Sequence, residues 1–257
     1  MDDRLSVFLF PHILKCAGQS MRNFLRDEVQ EPAATLIYSE RARDPWLKPA
    51  ELVPQERRDA LRILYGHRVP RAAKDGFQGR PVLEVGLLRD PTSWSVSMYN
   101  YLQKAQDNRH RIKGMSFETW YGTIKRNRIS RFYLKNYFRT ISTKMRLLSE
   151  RNRFDFLSEH FETFWFVGDY RNCDDVAARI AQEVGVPFKK LPRINEAPST
   201  GVRVQDLSES MKDRIRSENA LDQALYDAWS QRLWDGRPNL ETGSDLPKRW
   251  TWNNLAS

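Results

Sequence analysis

Three short clusters in this sequence pair residue types and spacings that suit anion chemistry. In the first, Lys15 and the run Cys16, Ala17, Gly18, Gln19 and Ser20 follow an apolar stretch and precede a helical pattern. Backbone N–H groups at such a strand-to-helix turn favour a bound phosphate or sulfate, and Lys15 adds a mobile positive charge. The spacing of two glycines followed by Lys and Ser or Thr, which an ordinary ATP- or GTP-binding loop uses, is missing. In the second cluster, Arg89 closes an apolar run and Ser97 follows eight residues later. The guanidinium offers paired donors in a fixed fork, which matches a phosphate. In the third, His67 follows Gly66 directly after an apolar segment. An imidazole that titrates near neutrality can take a proton from a hydroxyl and release it again.

Each cluster also has a structural alternative. Lys15 could be a solvated residue of a plain turn, Arg89 could pair with Asp90, and Ser97 could be a small residue that admits a helix to a sheet. His67 could be structural. His12 and Glu84 are rival bases, with a support role expected for His12 and either a cleft position or a buried Arg partner for Glu84. His110 and His160 lie in polar sequence and read as solvated.

The elements that must position these residues follow from hydrophobic periodicity. Residues 5–10, LSVFLF, predict a strand, residues 11–18 a loop, and the following segment a helix, because Met21, Phe24, Leu25 and Val29 recur at helical spacing. Polar, proline-punctuated sequence over residues 31–54 predicts irregular structure. ERRDALRILYGH predicts a short helix running into a strand end at Leu64 and Tyr65, with a loop rich in Gly and Arg after it. A buried strand is predicted from Val82 to Leu88, stopped by Asp90 and Pro91, and SWSVSMYNYLQKAQ predicts the next helix. Ser116 is an N-cap candidate for a largely helical stretch reaching about Leu157. A third strand ends at Gly168, and a capped amphipathic helix ends at Gly185 and Pro187. A last helix is predicted from Leu207 to Leu233. Alternating strands and helices imply an α/β fold with a central parallel sheet.

Composition narrows the classes. The chain has 257 residues, 40% of them hydrophobic, enough to bury a sizeable core in a single domain spanning 1–257. Its net charge of +9 attracts anions without choosing among nucleic acid, acidic glycan, lipid and phosphorylated small molecules. The two cysteines, Cys16 and Cys173, form neither a disulfide framework nor a paired metal-ligand spacing. No apolar run reaches membrane-spanning length, so a soluble, cytoplasmic protein without an integral membrane segment is expected. Basic runs at residues 108–113 and 125–131 read as solvated faces. Aromatics are not interleaved as in a nucleic-acid module, and Trp250 and Trp252 read as sealing the tail to the core.

Taken in order, the clusters resemble a known family. HILKCAGQSMRNFL resembles the HIPKTGGTSLRNFL-type phosphosulfate loop of PAPS-dependent carbohydrate sulfotransferases, PAPS being the activated-sulfate donor. LLRDPTSWSVSMYNYL resembles that family's 3′-phosphate signature, and LRILYGHRVP resembles the Gly-His segment of the heparan-sulfate 2-O type. LKNYFRTIS, FVGDYRNCDDVAARIAQEVGVP and RINEAPST are looser matches that extend the resemblance over most of the chain. Leu14 departs from the usual Pro, Cys16 and Gln19 from Thr, Ala17 from Gly and Trp94 from Arg.

The resemblance implies the P-loop nucleotide-kinase-like sulfotransferase fold, with donor at the carboxyl ends of the strands. Lys15 would contact bridging or 5′-phosphate oxygens. Cys16, Ala17, Gly18, Gln19 and Ser20 would wrap the phosphosulfate, while Arg89 and Ser97 would hold the 3′-phosphate. His67 would be the general base, with Lys15 stabilising the departing phosphate. Asn136 and Arg139 would lie near adenosine or acceptor, and Asn195, Ser199 and Thr200 near the nucleotide. PAPS is then a co-substrate leaving as PAP, the acceptor a hydroxyl of a sugar or glycoconjugate, and neither a metal nor nucleic acid is expected. The competing readings are a P-loop-like kinase or nucleotide hydrolase, and a non-catalytic basic binding protein with a degenerate loop.

Overall fold

A computed structural model describes residues 6–30, 33–36, 53, 55–77, 79–104, 112–139, 148–191 and 201–231. Five parallel strands form one sheet: β1 (Val7–Pro11), β2 (Ala34–Leu36), β3 (Ile63–Gly66), β4 (Val82–Leu88) and β5 (Phe166–Asp169), in the order β2-β3-β1-β4-β5. The α/β class with a central parallel sheet is therefore as expected. Chain connections from β1 lead toward one edge of the sheet, and those from β4 toward the other. The crevice between β1 and β4, at their carboxyl ends, is the topological switch point where open α/β sheets bind ligands.

The helices among the described residues are α1 (Gly18–Phe24), α2 (Gln55–Arg58), α3 (Pro91–Lys104), α4 (Phe117–Thr123), α5 (Arg128–Phe132), α6 (Glu150–Glu162), α7 (Cys173–Val184), α8 (Glu209–Glu218) and α9 (Ala220–Trp229). α1 and α5 each run on without interruption into a π-helical turn, over Leu25–Val29 and Tyr133–Tyr137. Among the described residues no helix is long and apolar enough to cross a membrane.

Alternation along β1 explains why the sheet is covered on both faces. Phe8 and Phe10 enter the main core with Met21, Leu25, Val176 and Ile180, whereas Val7 and Leu9 join Leu61, Leu64, Val69, Ala73 and Phe77 on the other side. Each such fully buried large side chain contributes roughly 1.5–3 kcal/mol. α3 has two working faces. Val96 and Tyr99 pack into a third cluster with Trp120, Tyr121 and Ile215, and the opposite side faces the loop after β1.

Three expectations needed correction. The stretch 31–54, expected to be irregular, contributes the strand β2, three residues that pair in parallel with β3. A strand this short leaves no periodicity to read. The single helix expected from Leu207 to Leu233 is two helices, because Asn219 adopts φ −119° and ψ 39° between α8 and α9. Its side chain accepts the Asn127 N–H at 2.8 Å and donates to the Tyr121 hydroxyl at 2.9 Å. The third strand also runs one residue past Gly168, to Asp169.

Candidate functional site

Sheet register brings the candidate residues abreast of one another. Pro11 of β1 pairs with Gly66 of β3, so the next residues, His12 and His67, stand side by side with their rings stacked at 4.4 Å between centroids. Leu88 of β4 pairs with Asp169 of β5, and the next residues, Arg89 and Tyr170, likewise meet, with the guanidinium 4.3 Å from the ring centroid. All four residues leave the same edge of the sheet.

The loop from β1 to α1 turns sharply. Lys15 has φ 68° and Ala17 φ 55°, left-handed conformations that cost a residue with a Cβ on the order of 1–3 kcal/mol each. Two contacts secure it, one from the β4–α3 connection and one from the first turn of α3. Arg89 donates from Nη1 to the Lys15 carbonyl at 2.6 Å, and Trp94 donates from Nε1 to the Leu14 carbonyl at 2.9 Å. On the other side, Tyr65 donates its hydroxyl proton to the Gly18 carbonyl at 2.8 Å. Gly18 lies so close to the buried His12 imidazole that a Cβ there would fall within the ring, which explains the glycine.

Donors for an anion remain available in this loop. The first backbone bond of α1 runs from the Met21 N–H to the Ala17 carbonyl at 3.2 Å, so Gly18 and Gln19 are first-turn positions whose N–H groups have no intrahelical acceptor. The expectation for Cys16 changes, because its N–H donates to the Ile13 carbonyl at 3.2 Å and its thiol is buried, with burial pushing the thiol up to about 12. That for Gln19 changes too. Its amide is exposed and donates to Asn23 Oδ1 at 3.1 Å, one turn further along the helix.

The Lys15 ammonium lies 4.6 Å from the centroid of the Tyr101 ring. Burial holds its pKa below the ordinary lysine value, and the charges of Arg89 and Lys104 lower it further. Arg89 is a strap as well as a candidate ligand. Besides Lys15 it bonds Ser93 Oγ from Nε at 3.0 Å, and among the described residues its Nη2 has no hydrogen-bond partner. The alternative pairing with Asp90 does not occur, since Asp90 Oδ1 accepts the Ser93 N–H at 2.7 Å and caps α3. Ser97 lies on the α3 face between Trp94 and Tyr101, at helical spacing, and both of those neighbours touch the loop.

His67 is arranged as a base. Its Nδ1 lies 2.6 Å from the His12 carbonyl oxygen, an atom that can only accept, so the proton resides on Nδ1 and Nε2 carries the lone pair. Burial lowers its pKa, aided by the charges of Arg68 and Arg22, against the raising effect of the carbonyl bond. The ring is therefore neutral at pH 7. Gly66, at φ 147°, takes a backbone conformation that side-chain-bearing residues rarely adopt, and this turn sets His67 beside His12.

Glu84 is not at this site. It is buried in β4 and bound by Arg71 at 2.9 Å, Lys74 at 2.8 Å and the Tyr137 hydroxyl at 2.5 Å. Asn136 and Arg139 belong to the segment around Tyr137, and among the described residues no hydrogen bond or ion pair joins either to the loop after β1. Asn195, Ser199 and Thr200, together with His110, Trp250 and Trp252, lie outside the described residues. Trp94, which the sequence marks only as a departure from Arg, joins the site together with Tyr101 and Tyr170. The spacing of 94, 97 and 101 on one helix face, and the matching positions of Arg89 and Tyr170 after adjacent strands, were the signals that pointed to them. No protein-family model matches the chain and a search of curated proteins finds no match, so the residues and their geometry stand alone in support of a function.

Proposed function

We propose that the chain is a sulfotransferase that moves the sulfuryl group of PAPS to a hydroxyl of an acceptor, a carbohydrate or glycoconjugate. One convergence supports it: Lys15, Arg89, the Ser97 face of α3 and a neutral, tautomer-fixed His67 gather at the carboxyl ends of β1, β3 and β4, at the switch point of the sheet. In this reading the sheet has the P-loop nucleotide-kinase-like sulfotransferase fold. The loop amides and Lys15 bind the 5′-phosphosulfate, and Arg89, through Nη2, and Ser97 take the 3′-phosphate.

In the reaction the acceptor oxygen attacks sulfur in line as the sulfur–oxygen bond to phosphate breaks. The acceptor proton passes to Nε2 of His67, and PAP leaves with the bonding electrons on its phosphate oxygen. Lys15 and the loop amides stabilise that growing charge, the kind of preset electrostatic aid that counts most in a partly buried site. The lowered pKa of Lys15 is the cost of burying the ammonium and of gathering cations around it, and a bound anion offsets both.

Thermal unfolding with PAP, ATP and an oligonucleotide tests the proposal. At about a hundredfold excess over Kd, PAP should stabilise the protein by about 2.7 kcal/mol, a rise of roughly 5–10 °C in Tm. Equal stabilisation by ATP points to a kinase or nucleotide hydrolase, and stabilisation by the oligonucleotide alone to a basic binding protein. No shift at millimolar PAP overturns the proposal. Radiolabelled PAPS offered to a panel of saccharide acceptors then identifies the hydroxyl.

A further inference from the structure

The loop after β1 is held in an unfavourable backbone conformation, and the contacts that hold it come from outside the loop. Left-handed turns at Lys15 and Ala17 need their carbonyls fixed, and Ala17, the residue before α1, makes no side-chain cap bond. Of the two straps, Arg89 in the β4–α3 connection and Trp94 in the first turn of α3, Arg89 is already a candidate donor ligand. Trp94 is different. Its ring is almost fully buried in the main core, with the Arg128 guanidinium 5.9 Å from the ring centroid, packing that a smaller phenyl ring would keep in part. Besides its larger size, what sets the indole apart here is the Nε1 donor, which reaches the Leu14 carbonyl at 2.9 Å, across 80 residues of sequence.

Resting on the sulfotransferase reading, we infer that Trp94 is a positioning residue for the 5′-phosphosulfate: its indole N–H fixes the Leu14 carbonyl, and thereby the orientation of Lys15 and the loop amides. A peptide unit holds its C=O and N–H on opposite sides, so fixing the Leu14 carbonyl toward α3 turns the Lys15 N–H away from it. The same α3 face then receives the Lys15 ammonium on Tyr101, so that one helix sets both the backbone and the side chain of Lys15. Trp94 itself touches no donor atom, and its effect belongs to the 5′ end of the donor, not to the 3′-phosphate.

Two substitutions and three ligands test this. Trp94→Phe keeps an aromatic ring and removes the donor. Trp94→His loses ring volume but keeps an N–H at the position equivalent to Nε1. Binding of PAP, adenosine 5′-phosphate and adenosine 3′-phosphate is measured by calorimetry, with Tm recorded for each variant. Trp94→Phe should weaken PAP and adenosine 5′-phosphate about tenfold, the effect of one lost hydrogen bond, and leave adenosine 3′-phosphate unchanged. Trp94→His should bind both 5′-phosphates more tightly than Trp94→Phe despite a lower Tm. Affinities that follow Tm, with His worse than Phe, or a loss confined to the 3′-phosphate, overturn the inference. If the unaltered protein binds none of the three, the sulfotransferase reading falls and takes the inference with it, whereas tight PAP binding unaffected by Trp94→Phe sinks the inference alone. Should Trp94→Phe fail to fold, Trp94→His decides alone, because near-normal affinity for adenosine 5′-phosphate at a depressed Tm is the positioning result and a tenfold loss is the packing one.

Discussion

His67 obtains its tautomer from the backbone and its lowered pKa from burial, and that gives it a testable signature. The His12 carbonyl can accept only, so the Nδ1 proton is fixed, and in the proposed reaction Nε2 is the atom that takes the acceptor proton. Burial keeps the ring below the ordinary imidazole value of 6.5, and His12 is lowered further still, by burial and by the charges of His67 and Lys15. In the unfolded chain both rings protonate near their ordinary value, while in the fold they stay neutral to lower pH. Stability from this source is present above 6.5 and is lost as pH falls from there toward the folded values. Melting temperature should therefore rise between about pH 5 and pH 7, and His67→Ala should flatten part of that rise. In turnover the acid limb of the pH profile should lie below 6.5, with activity level at neutral pH. His67→Ala should cost 10²–10⁴-fold in transfer rate, the usual worth of a general base, with PAP affinity within about threefold. Loss of PAP binding in that variant would instead mark the ring as a support for the loop it stacks beside.

At the scale of elements, the break between α8 and α9 is what fixes α5 in place. Asn219 leaves the helical conformation to receive the Asn127 N–H, and Asp222, in the first turn of α9, accepts the N–H groups of Ile129 and Ser130, each at 2.8 Å. The start of α5 is thus capped by a different helix, and Asn127 Oδ1 returns a bond to the Asp222 N–H at 3.2 Å. Burial raises the pKa of Asp222 despite these donors. Asp222→Ala leaves two buried N–H groups without acceptors and should cost about 2–4 kcal/mol, read from urea unfolding, with Asp222→Asn recovering part of it. A loss under about 0.5 kcal/mol would show that water replaces the carboxylate. None of this was legible from the sequence, where residues 207–233 carry one helical pattern, because the partners lie more than ninety residues apart. What could be read was local. The continuous apolar run of β4 gave its bounds as they stand, Ser116 caps α4 as its position suggested, and Gly185 ends α7. β2 hid within polar, proline-rich sequence, and the strand order that creates the switch point is a property of pairing, which no single stretch encodes. The same limit applies to Trp94, whose partner is a backbone carbonyl and so has no side-chain signature.

Across the whole molecule, β4 separates stability from function along its length. Its carboxyl end delivers Arg89 to the candidate site, while Glu84, near its start, ties together the Arg71–Phe77 segment and the turn bearing Tyr137. Burial pushes the Glu84 carboxyl up, but the bonds from Arg71, Lys74 and Tyr137 together outweigh burial and hold it below its ordinary value. A depressed carboxylate contributes stability that is fully present above its unfolded pKa and is lost as pH falls through the folded one. At neutral pH the charge is therefore wanted. Glu84→Gln keeps the shape and some of the hydrogen bonds, yet leaves two cations facing a neutral amide. It should cost about 1–3 kcal/mol, or roughly 2–10 °C in Tm, and should make stability less sensitive to acid. Because Glu84 and Arg89 share no hydrogen bond or ion pair and have separate partners, PAP affinity should stay within about twofold in the same variant. Calorimetric Kd alongside Tm decides the matter: a fall in both would mean that the two ends of β4 are coupled, and that the ion cluster helps to set the geometry of the donor loop.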